Sequence, residues 1–290
     1  MKYEIGQVNR LGNRSSNQDR FMAVETDEGV LLVLGDGMGG QACGEVAAQI
    51  LVDTAFKAYL EAIRPIEAAK EFLRDILIQA HQEIVAFGLH QEPPVTPGTT
   101  GVLCLIQDGQ AVWAHVGDSR LYIFQYGLPL YRTTDHSYVE QLYQKGAISR
   151  WEQDNHPKRN QITQCLGCRT APPEVSLSNV VTLKRGDVVL LCSDGLWGPL
   201  DDAQMGTQLR DGDSMDDLLN EMAEKAERLS YPRSDNISGL ALRFISNEAS
   251  EHAHQGEESH SAQGEGEDEL ESAIAKIEEV IREYEKEIEK

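Results

Sequence analysis

Apolar residues recur at helical spacing in two segments near the start of the chain. The first pattern predicts a helix over residues 44–60. The second predicts a helix that opens at Pro65, because proline is favoured in the first turn of a helix. The apolar positions are Ala47, Leu51, Ala55 and Tyr59 in the first helix and Ala69, Leu73, Ile76, Leu77, Ala80 and Ile84 in the second. Only a few residues separate the two patterns, so we expect an antiparallel helical hairpin.

Apolar runs bounded by turn residues predict strands in the rest of the body. Residues 20–26 and 30–34 flank an Asp-Glu-Gly turn, which predicts a β-hairpin. Residues 101–107 and 111–116 flank an Asp-Gly-Gln turn and predict a second hairpin. Further strands are predicted over 121–125, 188–192 and 238–245. Hairpins combined with a helical pair favour an α+β fold, with antiparallel sheet covered by helices, over an alternating βαβ arrangement.

Three segments depart from this pattern. Residues 133–170 are polar and irregular with short helices, as is typical of a functional lid or flap. Residues 248–268 are rich in Ser, Gly, Gln, His and Glu, and we expect an acidic flexible linker. Residues 269–290 predict an amphipathic heptad helix, whose apolar positions are Leu270, Ile274, Ile277, Ile281, Tyr284 and Ile288. The apolar face of this helix would pack against a second copy of the helix, the body of this chain or another protein. The regular heptad pattern also fits an engineered appendage.

The charge balance restricts the class of partner. The chain has 48 Asp and Glu against 26 Lys and Arg, a formal net charge of −22. Such a polyanion repels nucleic acid and anionic membrane surfaces, so we expect neither as a partner. The sequence also lacks an apolar run of the roughly 18–20 residues that a membrane helix needs, and its start does not resemble a signal peptide. We therefore expect a cytoplasmic protein whose carboxylates suit divalent cations.

The five cysteines are expected to be reduced thiols. Cys43, Cys104 and Cys192 lie in or beside apolar segments, which predicts buried side chains. Cys165 and Cys168 form a Cys-x-x-Cys pair, a spacing seen in metal and redox sites. A zinc site would need a second such pair, and the sequence has none.

Aspartates occur repeatedly where an apolar strand ends or begins. Asp36, Asp118 and Asp194 each follow a predicted strand closely, while Asp19 and Asp235 precede one. Taken singly, each fits a turn residue. Taken together, five carboxylates at strand ends can converge, and a divalent cation relieves their repulsion. Two such ions can activate a water and clamp an in-line phosphoryl displacement.

Two further residue types support this chemistry. Glycine follows Asp36 and Asp194, at Gly37 and Gly195, and would let the backbone approach a cation so that a carbonyl serves as a ligand. Arg14, five residues before Asp19, can hold a phosphate in a bidentate grip, although an exposed loop arginine is the simpler interpretation of that residue alone.

Six short motifs then occur in order along residues 1–246. They are Arg14-Ser-Ser-Asn17-Gln18-Asp19, Asp36-Gly37-Met38-Gly39-Gly40, Gly98-Thr99-Thr100, Gly117-Asp118-Ser119-Arg120, Ser193-Asp194-Gly195 and Asp235-Asn236. Together they resemble the metal-dependent protein phosphatases of the PPM (type 2C) family, in particular its compact bacterial members. The segment from Asp135 to Asn160 is similar to the flap of that family.

The resemblance implies a four-layer α-β-β-α sandwich of two mainly antiparallel sheets with a helical pair on each face. Residues 1–247 would be the phosphatase domain. The implied activity is hydrolysis of phosphoserine and phosphothreonine in proteins by a metal-bridging hydroxide, without a phosphoenzyme. The implied partners are phosphorylated proteins and a cognate serine/threonine kinase that the enzyme opposes.

The resemblance also implies the site residues. Asp36 would bridge two Mn²⁺ or Mg²⁺ ions, with the Gly37 carbonyl on one of them. Asp194 and Asp235 would complete the shell of the first ion, and Asp19 would orient metal-bound waters.

Two more roles follow from the resemblance. Arg14 would hold the substrate phosphate, and Asp118, with Asp194, would bind the third ion known in bacterial members.

The sequence departs from the family pattern at two positions. Gln18 stands where many members have Glu, which removes one charge near the second ion. Met38 stands where eukaryotic members have a histidine proposed as general acid, so no general acid is assigned. His136 and His156 in the flap are candidates, but surface histidines are the simpler interpretation.

Two other classes of protein were weighed. Residues 35–40 satisfy the G-x-G-x-x-G dinucleotide fingerprint, and Asp53 lies seventeen residues after Asp36. That fold requires a second parallel strand ending near the acidic residue, whereas Asp53 lies inside a helical pattern. The sequence has neither a P-loop motif nor a G-x-S-x-G elbow. A pseudophosphatase or calcium-binding scaffold would be expected to lack one or more metal aspartates, and all are present, which favours an active enzyme.

Overall fold

The computed structural model describes residues 1–38, 43–210 and 212–246. The predicted linker over 248–268 and the predicted heptad helix over 269–290 lie outside these ranges, as do Gly39 and Gly40 of the second motif. None of the helices in the described ranges has the length and apolar character of a membrane span.

The described chain alternates between strand hairpins and helices. The strands are β1 Lys2–Arg10, β2 Arg20–Thr26, β3 Gly29–Gly35, β4 Gly37–Met38, β5 Gly98–Thr99, β6 Gly101–Gln107, β7 Gln110–Val116, β8 Arg120–Gln125, β9 Leu128–Arg132, β10 Ser176–Leu177, β11 Val181–Thr182, β12 Val188–Cys192 and β13 Ile237–Ser246. The helices are α1 Gly44–Glu61, α2 Ala69–Leu89, α3 Tyr138–Gln144, α4 Arg150–Asp154, α5 Asp194–Trp197, α6 Asp202–Gln208 and α7 Met215–Ser230.

Two antiparallel sheets form the centre of the fold. One has the strand order β1-β13-β12-β8-β9, and the other has the order β10-β7-β6-β3-β2, with β11 also paired to β7. Strand β3 is buried along its whole length because both of its faces are covered. Leu31 and Val33 pack against α1 and α2, while Val30, Leu32 and Leu34 pack against the other sheet. A strand covered on both faces gives a continuous apolar run in the sequence, as observed here.

The outer face of the first sheet is covered by α5, α6 and α7, whose apolar side chains form a third cluster with β8, β12 and β13. The molecule is therefore the four-layer α-β-β-α sandwich of two mainly antiparallel sheets that was expected, with helices on both faces. The predicted hairpins are confirmed as β2–β3 and β6–β7. Asp108 and Gly109 make the second turn with φ values of 51° and 70°, so Gln110 belongs to the strand and not to the turn.

The first predicted helix is confirmed as α1, but the predicted start of the second helix is wrong. Helix α2 begins at Ala69, four residues after Pro65. The backbone between them is held by a long-range contact, because the Ile66 N–H donates to Gln107 Oε1 at 3.1 Å and Gln107 Nε2 donates to the Ile66 carbonyl at 2.7 Å. These two hydrogen bonds satisfy the Ile66 backbone outside a helix.

Some elements were absent from the sequence-based prediction. Strands β1 and β9 lie at the edges of the first sheet. The side chains of β9 are almost all exposed and those of β1 are mostly half-buried, so the apolar pattern is weak in both. Helix α7 has a clear signal that was overlooked. Its apolar residues recur at helical spacing after the N-cap Ser214, whose hydroxyl accepts from the Asp217 N–H at 3.2 Å.

The cysteine predictions are confirmed in part. Cys104 and Cys192 are buried as expected, but Cys43 is only half-buried, because it lies at the N-cap of α1 and not within a strand. Each of the five cysteines is a free thiol.

The inter-sheet core makes a quantitative prediction about stability. Leu32 is fully buried between the sheets, so Leu32→Ala should lower the free energy of unfolding by about 2–5 kcal/mol through lost burial and a residual cavity. Leu128 is 71% exposed on β9, and Leu128→Ala should change it by less than about 0.5 kcal/mol. Urea denaturation followed by circular dichroism measures both, and equal losses would contradict the assignment of the core.

Candidate active site

The strand register of the first sheet brings three of the predicted aspartates to one edge. Cys192, at the end of β12, lies opposite the start of β8 on one side and the N-terminal part of β13 on the other. Asp194 follows β12, Asp118 precedes β8 and Asp235 precedes β13. Because neighbouring antiparallel strands end and begin at the same edge, the three side chains share that edge.

The second sheet contributes the remaining two aspartates in the same way. Arg20 pairs with Gly35, so Asp19 and Asp36 extend side by side from the edge of the β2–β3 hairpin. The Asp36 backbone is held from both sides: its N–H donates to Thr100 Oγ1 at 2.9 Å, and its carbonyl accepts from the Thr100 N–H at 2.9 Å.

Hydrogen bonds join the two sheet edges. Ser193 Oγ donates to Asp19 Oδ2 at 2.8 Å, which links the end of β12 to the start of β2. The Gln18 N–H donates to Asn236 Oδ1 at 2.9 Å, and Asn236 Nδ2 donates to the Leu11 carbonyl at 2.9 Å. Neutral polar side chains therefore fix the carboxylate-bearing segments of both sheets against each other.

The carboxylates interact electrostatically. Burial raises the pKa of Asp36 and Asp194 well above the ordinary value, and the neighbouring carboxylates raise it further. Asp19 contributes most among the neighbours of Asp36, and Asp118 most among those of Asp194. Burial, and then the charge of Asp135, raises the pKa of Asp118 to about 7. The five predicted aspartates thus converge, at an electrostatic cost that a cation would remove.

The donor atoms fit a hard divalent cation. Within the described ranges, Asp19 Oδ1 and Asp194 Oδ1 are buried oxygens without a hydrogen-bond partner, which is costly unless something positive binds them. Among the described residues, no group of three or more His, Cys, Asp or Glu side chains has the close spacing of a complete metal coordination shell. The carboxylates are therefore a converging but open set, of the oxygen type that Mg²⁺ and Mn²⁺ prefer.

Gly37 is tightly enclosed beside Asp36. A Cβ there would lie 2.3 Å from the Gly44 carbonyl oxygen and 2.6 Å from the Gln18 carbonyl oxygen, so only glycine fits. The Gly37 N–H donates to the Gln18 carbonyl at 3.2 Å. The backbone that follows Asp36 is consequently fixed between α1 and the loop before β2.

Arg14 reaches the cluster from the solvent side. Its Nη2 atom lies 2.5 Å from Asp235 Oδ2, and the arginine side chain remains 58% exposed. The structure therefore places Arg14 beside one of the predicted aspartates, with its guanidinium open to solvent. Arg14 is an exposed loop arginine, as the residue alone suggested, and it also forms an ion pair with Asp235.

Sequence reasoning gave no role to the residues that support Asp118. The Arg120 guanidinium donates two hydrogen bonds to the Asp135 carboxylate, at 2.8 and 2.7 Å. The Cζ atom of Arg120 lies 3.5 Å from the centroid of the Trp197 ring. Trp197 Nε1 donates to the Asp118 carbonyl at 3.1 Å. Because Trp197 ends the helix that Asp194 begins, this contact fixes the Asp118 and Asp194 segments together.

The sequence contains only part of the information needed to predict the contacts of Arg120, Asp135 and Trp197. Arg120 and Asp135 both belong to recognised motifs, yet fifteen residues separate them, and no local pattern shows that they pair. Trp197 offers only its position three residues after Asp194.

The flap helices α3 and α4 border a cleft beside the aspartates. The cleft has a volume of about 840 Å³, and its lining includes Asp194 and Asp235 as well as the flap residues Arg150, Arg159 and Asn160. It is therefore open to a ligand much larger than a phosphate.

His136 connects the flap to the sheet beneath it. It is half-buried, so its interpretation as a surface histidine is wrong. Its Nδ1 accepts from the Gly117 N–H at 3.2 Å, its Nε2 lies 2.8 Å from Ser176 Oγ, and its ring stacks on His115. Burial lowers the pKa of His136 to about 4. His156 is half-buried at 6.1 Å from the Tyr138 ring, and its Nδ1 accepts from the Lys158 N–H.

Comparisons with known proteins agree on one family. Residues 7–240 match the family described as Protein phosphatase 2C. The serine/threonine phosphatase stp of Listeria innocua is 32% identical over 232 residues, which cover 79% of this chain and 90% of that protein. The S. agalactiae serine/threonine phosphatase structure superimposes with a TM-score of 0.77 at 29% identity, covering 84% of this chain and all of that one. The catalytic domain of the phosphatase PstP, in complex with two manganese ions, gives a TM-score of 0.70 at 25% identity, covering 84% and 99%.

The buried ion pair beside Asp118 makes a stability prediction. Arg120→Met should lower the free energy of unfolding by about 3–5 kcal/mol, because it leaves Asp135 buried without its partner. The exposed pair Arg74–Asp75 is the matched control, and Arg74→Met should cost less than about 1 kcal/mol. Urea denaturation measures both variants.

A second variant separates charge from packing. Adding Asp135→Asn to Arg120→Met removes the unpaired carboxylate and should recover part of the lost stability. A double variant that is no more stable than Arg120→Met would show that packing, and not the buried charge, causes the loss.

Proposed function

Because the chain belongs to the protein phosphatase 2C family and is a metal-dependent serine/threonine protein phosphatase, we propose that it hydrolyses its phosphoprotein substrates at the carboxylate cluster. The observation that carries this proposal is the convergence of Asp19, Asp36, Asp118, Asp194 and Asp235 from the edges of both sheets.

The proposed cation ligands are the side chains of Asp36, Asp194 and Asp235 and the carbonyl of Gly37, for two Mn²⁺ or Mg²⁺ ions, with Asp19 orienting coordinated waters. The unpartnered oxygens of Asp19 and Asp194 and the enclosed backbone at Gly37 support this assignment. Two such ions supply an acidified water as the nucleophile and offset charge on the phosphoryl oxygens.

A third ion is proposed between Asp118 and Asp194. The contact from Trp197 to the Asp118 carbonyl supports it, because the contact holds the two carboxylate-bearing segments in a fixed relation. Gln18 is uncharged, and its Nε2 donates to Glu45 Oε2 at 3.4 Å, so it adds no carboxylate to this set.

The chain's own groups would bind and orient the phosphate. Arg14 donates to two phosphoryl oxygens, and its ion pair with Asp235 holds the guanidinium at the mouth of the cleft. The phosphorylated segment of the substrate lies in the cleft between the aspartates and the flap residues Arg150 and Arg159. Water adds to phosphorus directly, and the serine or threonine oxygen leaves without a phosphoenzyme.

No side chain is proposed as the general acid. Both ring nitrogens of His136 are engaged, by the Gly117 N–H and by Ser176. The low pKa of His136 disfavours the imidazolium form, which is the form that could act as an acid, and the single N–H of the neutral ring faces Ser176. His136 instead positions the flap relative to the turn that bears Asp118.

The domain boundaries and the wider context are part of the same proposal. Residues 1–247 are the catalytic domain. The acidic linker over 248–268 and the heptad helix over 269–290, which would self-associate or bind a protein partner, stay predictions from the sequence pattern, because they lie outside the described residues. The substrates are serine- or threonine-phosphorylated proteins, the cognate kinase is the opposing enzyme, and the reaction takes place in the cytoplasm.

The central assignment is tested at Asp36. Wild-type protein should release phosphate from a phosphothreonine peptide in the presence of Mn²⁺. The release should stop when excess EDTA is added. Asp36→Asn should lower turnover on the order of a thousandfold, since it weakens the carboxylate shared by both ions. The control is Asp53→Asn, an exposed change on α1 that should leave turnover unchanged. Near-normal turnover of Asp36→Asn in metal-replete buffer would refute the two-ion assignment.

The proposed role of Arg14 in phosphate binding is tested by comparing the effects of a substitution on KM and on kcat. Arg14→Ala should raise KM for the phosphopeptide by about tenfold to a hundredfold, because a charged hydrogen bond to phosphate contributes roughly 1.5–3 kcal/mol, and kcat should change less. Arg228→Ala, an exposed arginine of α7, is the control. An unchanged KM in steady-state kinetics would remove Arg14 from the phosphate site.

A further inference from the structure

The Cys-x-x-Cys pair plays no part in the proposed reaction, yet it lies in a tightly held turn. Cys165 and Cys168 are free thiols separated by Leu166 and Gly167. Gly167 has φ +87°, and a Cβ there would lie 2.2 Å from the Pro97 carbonyl oxygen, so the position requires glycine. A left-handed residue at the third position is typical of tight four-residue turns, in which the first and fourth Cα atoms lie within about 7 Å. The two thiols are close enough that Cys168 adds to the rise in the pKa of Cys165. A disulfide spans about 4.4–6.8 Å between Cα atoms.

The two thiols differ in a way that suits disulfide formation. The Cys168 Sγ lies 3.1 Å from Thr170 Oγ1, and hydrogen bonding from Thr170 lowers the pKa of Cys168. Burial raises the pKa of Cys165, whose Sγ lies beside Gly98. Cys168 is therefore the more readily ionised of the two thiols and the one that attacks an oxidant first, and Cys165 is the neighbouring thiol that resolves the product.

The turn is connected to Asp36 by a short chain of contacts. Leu166 and Thr99 exchange backbone hydrogen bonds at 3.3 and 2.9 Å, and the Gly167 N–H donates to His81 Nδ1 at 3.1 Å. Thr99 Oγ1 in turn donates to the Asp36 carbonyl at 3.0 Å. Leu166 itself is fully buried in the core under α1 and α2, so the turn is part of the scaffold and not a loose loop.

We propose that Cys165 and Cys168 are a peroxide-sensitive dithiol site, and that their intramolecular disulfide slows the reaction at Asp36. The Cys168 thiolate attacks one oxygen of hydrogen peroxide, the O–O bond breaks, and a sulfenic acid and water result after proton uptake. The Cys165 sulfur then attacks the sulfenic sulfur, forms the S–S bond and releases a second water. Two thiols and one peroxide thus give one disulfide and two waters.

The loss of activity follows from what the S–S bond must displace. An S–S bond holds the two Cβ atoms about 3.5–4.5 Å apart. Its formation would draw the Cys168 sulfur from Thr170 and the Cys165 sulfur from Gly98. The peptide between them is the one paired with Thr99. Since Thr99 holds the Asp36 backbone, a shift of about an ångström there would lower turnover roughly tenfold to a hundredfold.

The experiment measures the disulfide and the activity separately on the full chain. Trypsin cleaves after Arg159 and Arg169, so one peptide, residues 160–169, contains both cysteines. After hydrogen peroxide and alkylation, mass spectrometry should find this peptide unalkylated and lighter by two hydrogens. Phosphate release with Mg²⁺ should fall tenfold or more and return with dithiothreitol.

Single variants provide the matched controls. Cys165→Ser and Cys168→Ser should keep their activity after peroxide, whereas Cys43→Ser, which changes the half-buried thiol at the start of α1, should lose activity like wild type. A peptide that stays fully alkylated, a disulfide that leaves turnover unchanged, or an equal loss in Cys165→Ser would each overturn the proposal.

The coupling to Asp36 rests on the proposed function, but the two failures are distinguishable. If the reduced protein released no phosphate with metal, the proposed function would fail while the peptide mass still reported the disulfide. If the reduced protein is active and the mass does not change, only the dithiol site fails.

Discussion

The mutual repulsion of five aspartates at one edge of two stacked sheets is the constraint on which the structure depends. Asp19 and Asp118 are buried, and Asp36, Asp194 and Asp235 are half-buried. Asp194 and Asp235 also line the cleft. A fold that brings like charges together must supply rigid supports, because the carboxylates would otherwise move apart or take up protons. The supports observed here are almost all neutral or backbone groups, which fix the segments without cancelling the charge that a cation needs.

The supports also explain why the site is assembled from both sheets. Ser193 holds the Asp19 carboxylate and Asn236 holds the Gln18 backbone, so the two sheets cannot slide without breaking these hydrogen bonds. Within the second sheet, Thr100 holds the Asp36 backbone. Arg120 is the exception, since it is a buried cation next to Asp118. Its charge is directed to Asp135, and its planar face packs on Trp197. The arginine therefore organises the Asp118 turn without forming an ion pair with Asp118 itself.

The flap and the dithiol turn are attached to this framework at both ends of the segment. His136 connects the start of the flap to the Gly117 turn, and Leu166 connects its end to Thr99. Both contacts join the flap to backbone that directly positions an aspartate. A change in the flap, whether from a bound phosphoprotein or from a disulfide, can therefore move the carboxylates through these contacts. The start of the flap acts on Asp118 and its end acts on Asp36.

Elements with a local signal could be predicted from the amino-acid sequence alone. Continuous apolar runs specified β3 and β12, Asp108 and Gly109 specified a tight hairpin turn, and the aspartates at strand ends specified a site at a sheet edge. The features that could not be predicted depend on residues that are far apart in the chain and meet only in the folded protein. Gln107 holds the backbone at Ile66 and delays α2 to Ala69, Asp135 and Trp197 complete the environment of Arg120, and His115 and Ser176 bury His136. Such contacts leave no periodicity in the sequence, because their strength comes from distances and burial that exist only after the sheets have packed.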